Sequence, residues 1–381
     1  MPTLSPVPIT MDLLRGVLEL EPTPHGLRPH RLPAWARSQC SDPQLAMAES
    51  QPAGVRLELR TRSTVIELDA LRTRPAYRGL PMRPDGIYDL LIDGQLSAQA
   101  TLTGGNVLMM DAATGTAEMQ PGPVGTVRFA DLPDRLKTVE IWLPHNEITE
   151  LVALRGDQPI QPSPSSRRVW LHHGSSISHG SNALHPTGTW PAVAAGIGDL
   201  ELINLGLGGS ALLDPFIART MRDIPADLIS IKLGINLVNL DLMRRRALGP
   251  ALHGFLDTIR DGHPTTPIIV ASALYCPIHE HTPGPLAPDF SSGTMNFVAT
   301  GDPADEATGK LTLSVTRDEL AGVVNQRVGD DPHLRYLDGL QLYGPEDFAL
   351  MPLPDNLHPG PDAHQLIGER FAAAIADLDQ T

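Results

Sequence analysis

The chain is poor in cysteine, in aromatics and in positive charge, and each shortage closes off a class of protein. Its 381 residues include two cysteines, Cys40 and Cys276, in opposite halves, so it has no disulfide framework. Lys and Arg number 29 against 44 Asp and Glu, a net charge of −15. That balance argues against a nucleic-acid partner and against an anionic membrane surface. No apolar run is long enough to span a bilayer. The opening Met1-Pro2-Thr3-Leu4-Ser5-Pro6-Val7-Pro8 lacks the basic start and apolar core of a secretory signal, so a cytoplasmic location is expected. Gly-x-x-x-x-Gly-Lys is missing, which removes a Walker-type phosphate loop.

What is present clusters in the C-terminal part. Val169-Trp170-Leu171-His172-His173 is a short apolar run that ends in Gly174-Ser175-Ser176, with a helix-compatible stretch after it. A hydroxyl is thereby placed at the carboxyl end of a buried strand, where open α/β sheets bind ligands. Taken alone, a Gly-Ser-Ser turn is ordinary loop chemistry. Two further strand-like runs end in polar or bare backbone: Ile203-Asn204-Leu205 into Gly206-Leu207-Gly208-Gly209-Ser210, and Leu228-Ile229-Ser230-Ile231-Lys232-Leu233 into Gly234-Ile235-Asn236. Far downstream, Asp355-Asn356-Leu357-His358-Pro359 offers a base and an acid three residues apart. A serine hydroxyl is a poor nucleophile without such a base, and the combination points to acyl transfer.

These four ordered blocks resemble the SGNH hydrolase superfamily, the GDSL-type esterases and lipases. The resemblance covers roughly the C-terminal three fifths of the chain. It implies Ser176 as nucleophile, His358 as base and Asp355 as the acid of a catalytic triad. It also implies an oxyanion hole from the N–H groups of Ser176 and Gly209 and the amide of Asn236, with Gly208 as the other register. Two positions depart from the family pattern. Ser175 stands where Asp is usual, and Leu237 follows Asn236 where Asp is usual; the first can loosen the loop beside Ser176, the second the hold on the asparagine amide. Among the other histidines, His173 and His179, with Ser175, are the expected substrate contacts. His172 and His364 read as lining or surface residues.

The expected fold class is α/β. A proline- and serine-rich stretch near 157–166 marks a boundary. Residues 1–160 read as an N-terminal, jelly-roll-like β-sandwich: short strands such as Val55–Leu59, Val65–Leu68 and Lys137–Leu143 recur, and Ile87–Ile92 runs into the hairpin signal Asp93-Gly94. Residues 167–381 read as a three-layer, flavodoxin-like SGNH domain. Its strands are expected near 168–173, 201–205, 227–233, 267–274 and 334–337, and its helices near 189–197, 241–260, 316–328 and 362–377. Thr316-Arg317-Asp318-Glu319 reads as a capping box. The stretch between Cys276 and Ser314 reads as a long functional loop able to reach over the crevice.

The expected reactants are a small-molecule acyl donor, with acyl-CoA as co-substrate, and a hydroxylated acceptor; no metal or cofactor is expected. The two-domain layout resembles GDSL-type acyltransferases that tailor polyketides, tetracyclines included. That favours an O-acyltransferase in antibiotic biosynthesis over the alternative, a carbohydrate or small-ester esterase acting as a deacetylase. Rival readings are weaker. Gly206-Leu207-Gly208-Gly209-Ser210-Ala211 fits a dinucleotide pattern but falls at the second strand turn rather than the first. His279-Glu280-His281 has no further metal ligands nearby. A non-catalytic module would not need four chemically complete blocks. The N-terminal part has few conspicuous rings (Tyr77, Tyr88, Phe129, Trp142), which weakens a sugar-stacking role.

Overall fold

The computed structural model describes residues 3–378, apart from 112, 113 and 292. The chain divides into two compact units.

The first unit comprises residues 1–34, 49–166 and 184–187. Alternation of apolar and polar residues builds it. In Gly125–Phe129, Val127 and Phe129 are buried while Thr126 and Arg128 are exposed. An eight-stranded and a six-stranded sheet form, antiparallel except where Ile66–Tyr77 pairs in parallel with Asn106–Asp111. One apolar core draws on both: Ile66, Leu68, Val127 and Leu154 from the first, Leu57, Leu59, Leu90 and Ile141 from the second. The Asp93-Gly94 turn joins Ile87–Ile92 to Gln95–Thr101. Both turn residues have positive φ, 50° and 79°, the geometry that matches strand twist in a two-residue hairpin.

The second unit comprises residues 35–48, 167–183 and 188–381. Five strands, β1 (Arg168–Gly174), β2 (Leu200–Gly206), β3 (Leu228–Lys232), β4 (Ile268–Ala271) and β5 (Leu334–Leu337), form a parallel sheet in the order β2-β1-β3-β4-β5. Residues along β3 and β4 are buried throughout, as expected of a sheet covered on both faces. On one face Trp170 and His172 meet Trp190 of helix Trp190–Ile197 and Phe371 of helix Pro361–Leu378. On the other, His173 stacks on Phe255 of helix Arg245–Gly262. The order reverses between β1 and β3, and such a switch point opens a crevice at the strands' carboxyl ends.

Four details depart from the sequence reading. Residues 35–48, expected within a continuous 1–160 domain, pack with the second unit: the Arg219 guanidinium lies over the Trp35 ring and bonds Gln39. Residues 184–187, expected in the second, pack with the first, where His185 and Thr187 hold the buried Asp89 carboxylate. The capping box at Thr316 does not form. Helix Leu313–Arg327 starts earlier, with Thr312 accepting from the Val315 N–H at 3.2 Å. Thr316 is buried and donates to the Thr312 carbonyl, while Glu319 pairs with Arg245. The segment after Cys276 is not a bare loop: it holds helix Pro277–Glu280 and a hairpin of strands Leu286–Asp289 and Asn296–Ala299.

Candidate active site

The turn after β1 leaves one residue accessible. From Trp170 to Gly180 every residue but Ser176 is buried. Ser175 is the N-cap of helix Ser176–His179, and its hydroxyl accepts from the Ile177 N–H. Ser175 is therefore buried and occupied in the turn rather than available as a substrate contact.

Ser176 Oγ lies 2.9 Å from His358 Nε2, although 182 positions separate them. His358 Nδ1 lies 2.8 Å from Asp355 Oδ2. The other carboxylate oxygen, Oδ1, accepts from the backbone N–H groups of His358 at 2.7 Å and Leu357 at 3.0 Å. Burial disfavours the charged carboxylate, but the His358 hydrogen bond and charge, with these two N–H groups, outweigh it and hold Asp355 below the usual carboxylate range. With Asp355 ionised, Nδ1 carries the proton and Nε2 is left as an acceptor facing Ser176.

The turn after β2 lies against this serine, and the turn after β3 is bonded to that turn. A Cβ added at Gly208 would stand 3.7 Å from both Ser176 Cβ and His179 Nδ1, so this turn lies against the serine. Gly209 has φ +75°. Asn236 is 2% exposed, and its Oδ1 accepts from the Ala211 N–H at 3.1 Å. That bond fixes the amide orientation and leaves Nδ2 as a donor. It also supplies a hold that does not depend on an aspartate after Asn236; Leu237 is instead buried. Gly234, which sets up this turn, has φ +125°, a region side-chain-bearing residues rarely enter.

The histidines separate by burial. His173 does not touch the crevice: it is fully buried, with Nδ1 2.8 Å from the Leu205 carbonyl, because strand alternation turns it toward Phe255. His172 is buried between the Ser230 and Ser178 hydroxyls. His364, also buried, accepts from the Trp190 N–H and so donates from Nε2 to the Ser181 carbonyl. Burial lowers its pKa to about 4. His179 is 5% exposed, beside Gly208.

Several neighbours escaped the sequence reading. Asn182 Nδ2 reaches Asp355 Oδ2 at 3.3 Å and the His358 carbonyl at 3.5 Å. Gln44 Nε2 donates to the Gly208 carbonyl at 2.9 Å. Phe297 packs against His358, with ring centroids 5.8 Å apart and planes at 78°. Their sole sequence signals are an Asn in a Gly-Ser-Asn turn, a helix-start Gln and an aromatic opening the short apolar run Phe297-Val298-Ala299. His279 and Glu280 are engaged elsewhere, His279 with the Thr282 carbonyl and Glu280 with Arg317. Among the described residues no His, Cys, Asp or Glu group could hold a metal ion, and no helix is long and apolar enough to cross a membrane.

Residues 167–277 match the GDSL-like lipase/acylhydrolase family. A salicylyl-acyltransferase, SsfX3, from a tetracycline biosynthetic pathway is 27% identical, with 99% of this chain and 98% of that one aligned at a TM-score of 0.81. A candidate GDSL-like lipase from Bacteroides ovatus is 20% identical over 99% and 98%, TM-score 0.70. A family two carbohydrate esterase from Cellvibrio japonicus is 13% identical over 99% and 98%, TM-score 0.57. The last two share the fold. No curated protein matches by sequence. The match over residues 167–277 and the likeness to an acyltransferase support an enzyme, a serine acyltransferase or esterase. The same match and the likeness to the salicylyl-acyltransferase support the SGNH superfamily.

Proposed function

We propose that the protein is an O-acyltransferase that carries the acyl group on Ser176, from a thioester donor such as acyl-CoA to a hydroxyl of a small specialised metabolite. The observation that carries this reading is the unbroken chain from Ser176 Oγ through His358 to Asp355, 2.9 and 2.8 Å.

The chemistry follows from those contacts. His358 Nε2 takes the Ser176 proton as Oγ attacks the thioester carbonyl. Asp355 holds the ring and stabilises the imidazolium without itself taking the proton. The tetrahedral oxygen receives the N–H groups of Ser176 and Gly209 and the Asn236 Nδ2. Collapse breaks the C–S bond, and the leaving thiolate takes the proton from His358. An acceptor hydroxyl then attacks the Ser176 ester while His358 takes its proton. The second collapse releases the new ester and returns the proton to Ser176 Oγ. No cofactor enters the scheme. A cytoplasmic setting, where acyl thioesters are at hand, suits it.

The full-length similarity to an acyltransferase favours transfer. The shared fold of carbohydrate esterases keeps hydrolysis as the second reading, since water can replace the acceptor with the same residues. The test is incubation with an acyl thioester, with and without hydroxylated acceptors, following free thiol and products by chromatography. Acceptor-dependent ester formation is expected. Rapid release of free acid that no acceptor alters would establish the esterase instead.

A further inference from the structure

The hairpin of Leu286–Asp289 and Asn296–Ala299 is braced at two places in the site. At its foot, Gly284 presses on the carbonyl of Val238, so closely that a Cβ would overlap it. Val238 belongs to helix Ile235–Asn239, which carries Asn236. On its second strand, the Phe297 N–H donates to the Asp355 carbonyl at 3.1 Å. The Asn356 amide donates back to the Phe297 carbonyl at 3.4 Å. The half-buried Phe297 ring meets the His358 imidazole nearly perpendicularly. A second ring, Phe290, stands 40% exposed just beyond the first strand.

We propose that Phe297 sets how the acyl-Ser176 ester partitions between an acceptor and water. The inference rests on the acyl-serine reading above. His358 must deprotonate whichever nucleophile attacks, so the surface beside its ring selects what arrives there. An aromatic wall gives a water molecule no hydrogen-bond partner, whereas a ring-bearing alcohol packs on it and presents its hydroxyl to Nε2. Phe297 is a specificity-determining residue: it takes no proton and holds no charge. Its backbone bonds to Asp355 and Asn356 do not depend on the side chain.

The experiment uses the full chain, p-nitrophenyl acetate as acyl donor, and benzyl alcohol or ethanol as acceptor. The p-nitrophenol burst reports acylation, and the ratio of acetate ester to free acetate reports partition. In Phe297→Ala the benzyl acetate to acetate ratio should fall about tenfold, a ratio that does not depend on how fast the enzyme is acylated. The ethyl acetate to acetate ratio should fall far less. Phe297→Tyr, which keeps the ring, should restore the benzyl ratio. An unchanged benzyl ratio in the Ala variant overturns the proposal, as does an equal fall for both alcohols. A lost burst that Phe297→Tyr does not restore overturns it too, because the residue then serves folding. A wild type that shows no acyl-enzyme at all refutes the acyl-serine reading, and this inference with it.

Discussion

In the proposed mechanism Asn236 divides its two ends between structure and chemistry. Its Oδ1 accepts from the buried Ala211 N–H, and in that mechanism its Nδ2 donates to the developing oxyanion. Asn236→Ala should therefore lower kcat by roughly 10²-fold or more. It should also cost about 1–3 kcal/mol of stability, since the Ala211 N–H loses its partner. Steady-state kinetics and denaturant unfolding measure the two effects; loss of stability with kcat unchanged would remove Asn236 from the oxyanion site. His358→Ala should lower turnover roughly 10⁴-fold or more while circular dichroism stays native. At this scale the sequence was legible where chemistry sits beside a turn: Ser176, His358 and Asp355, which hydrogen bonds join, each follow a recognisable strand end or a short local spacing. Asn182, Gln44 and Phe297 were not legible, because they reach the site by tertiary packing from segments with no motif. His173 misled for a related reason: proximity in sequence to Ser176 says nothing about which face of β1 a residue occupies.

Elements were readable in proportion to their burial. The five parallel strands announce themselves as apolar runs, and the Asp93-Gly94 hairpin as a turn dipeptide. Helix starts are harder, because two plausible caps stand four residues apart at Thr312 and Thr316, and a buried threonine resembles a capping one in sequence. Thr312→Ala should destabilise the protein by about 1 kcal/mol through the lost bond to the Val315 N–H. Thermal unfolding of that variant checks it; an unshifted melt would mean that the cap contributes nothing. The segment from Cys276 to Ser314 reads as loop because Pro, Gly and acidic residues dominate it. Its hairpin is anchored at Val238 of helix Ile235–Asn239 and at Asp355 and Asn356, contacts that no local pattern encodes. Exchange of residues 35–48 and 184–187 between the units is invisible for the same reason.

Across the whole molecule, buried cationic-type side chains govern the response to pH. His172 and His364 are buried and hold pKa values below the ordinary 6.5, His364 at about 4. Burial, then the charge of Arg317, lowers Lys232 from 10.5 to about 7. Each binds its proton less readily folded than unfolded, so each favours the folded state more as pH rises. Stability should climb between about pH 4 and 6.5 as the histidine contribution is recovered. It should climb again from about pH 7 to about 9 as the Lys232 contribution is recovered, before the buried Cys276 thiol, pushed up to about 12, opposes it. Lys232→Met should flatten the upper limb. Melting temperatures across that range at constant ionic strength test this, and a wild-type profile flat between about pH 7 and 9 would contradict the lysine's part.

The account turns on the bond formed at Ser176, and peptide mapping by mass spectrometry reads that bond directly. After brief exposure to an acyl thioester and an acid quench, the acyl mass should appear on the peptide containing Ser176. It should be missing from Ser176→Ala and should clear on adding a hydroxylated acceptor. An acyl mass on another residue that persists in Ser176→Ala, with turnover intact, would contradict it.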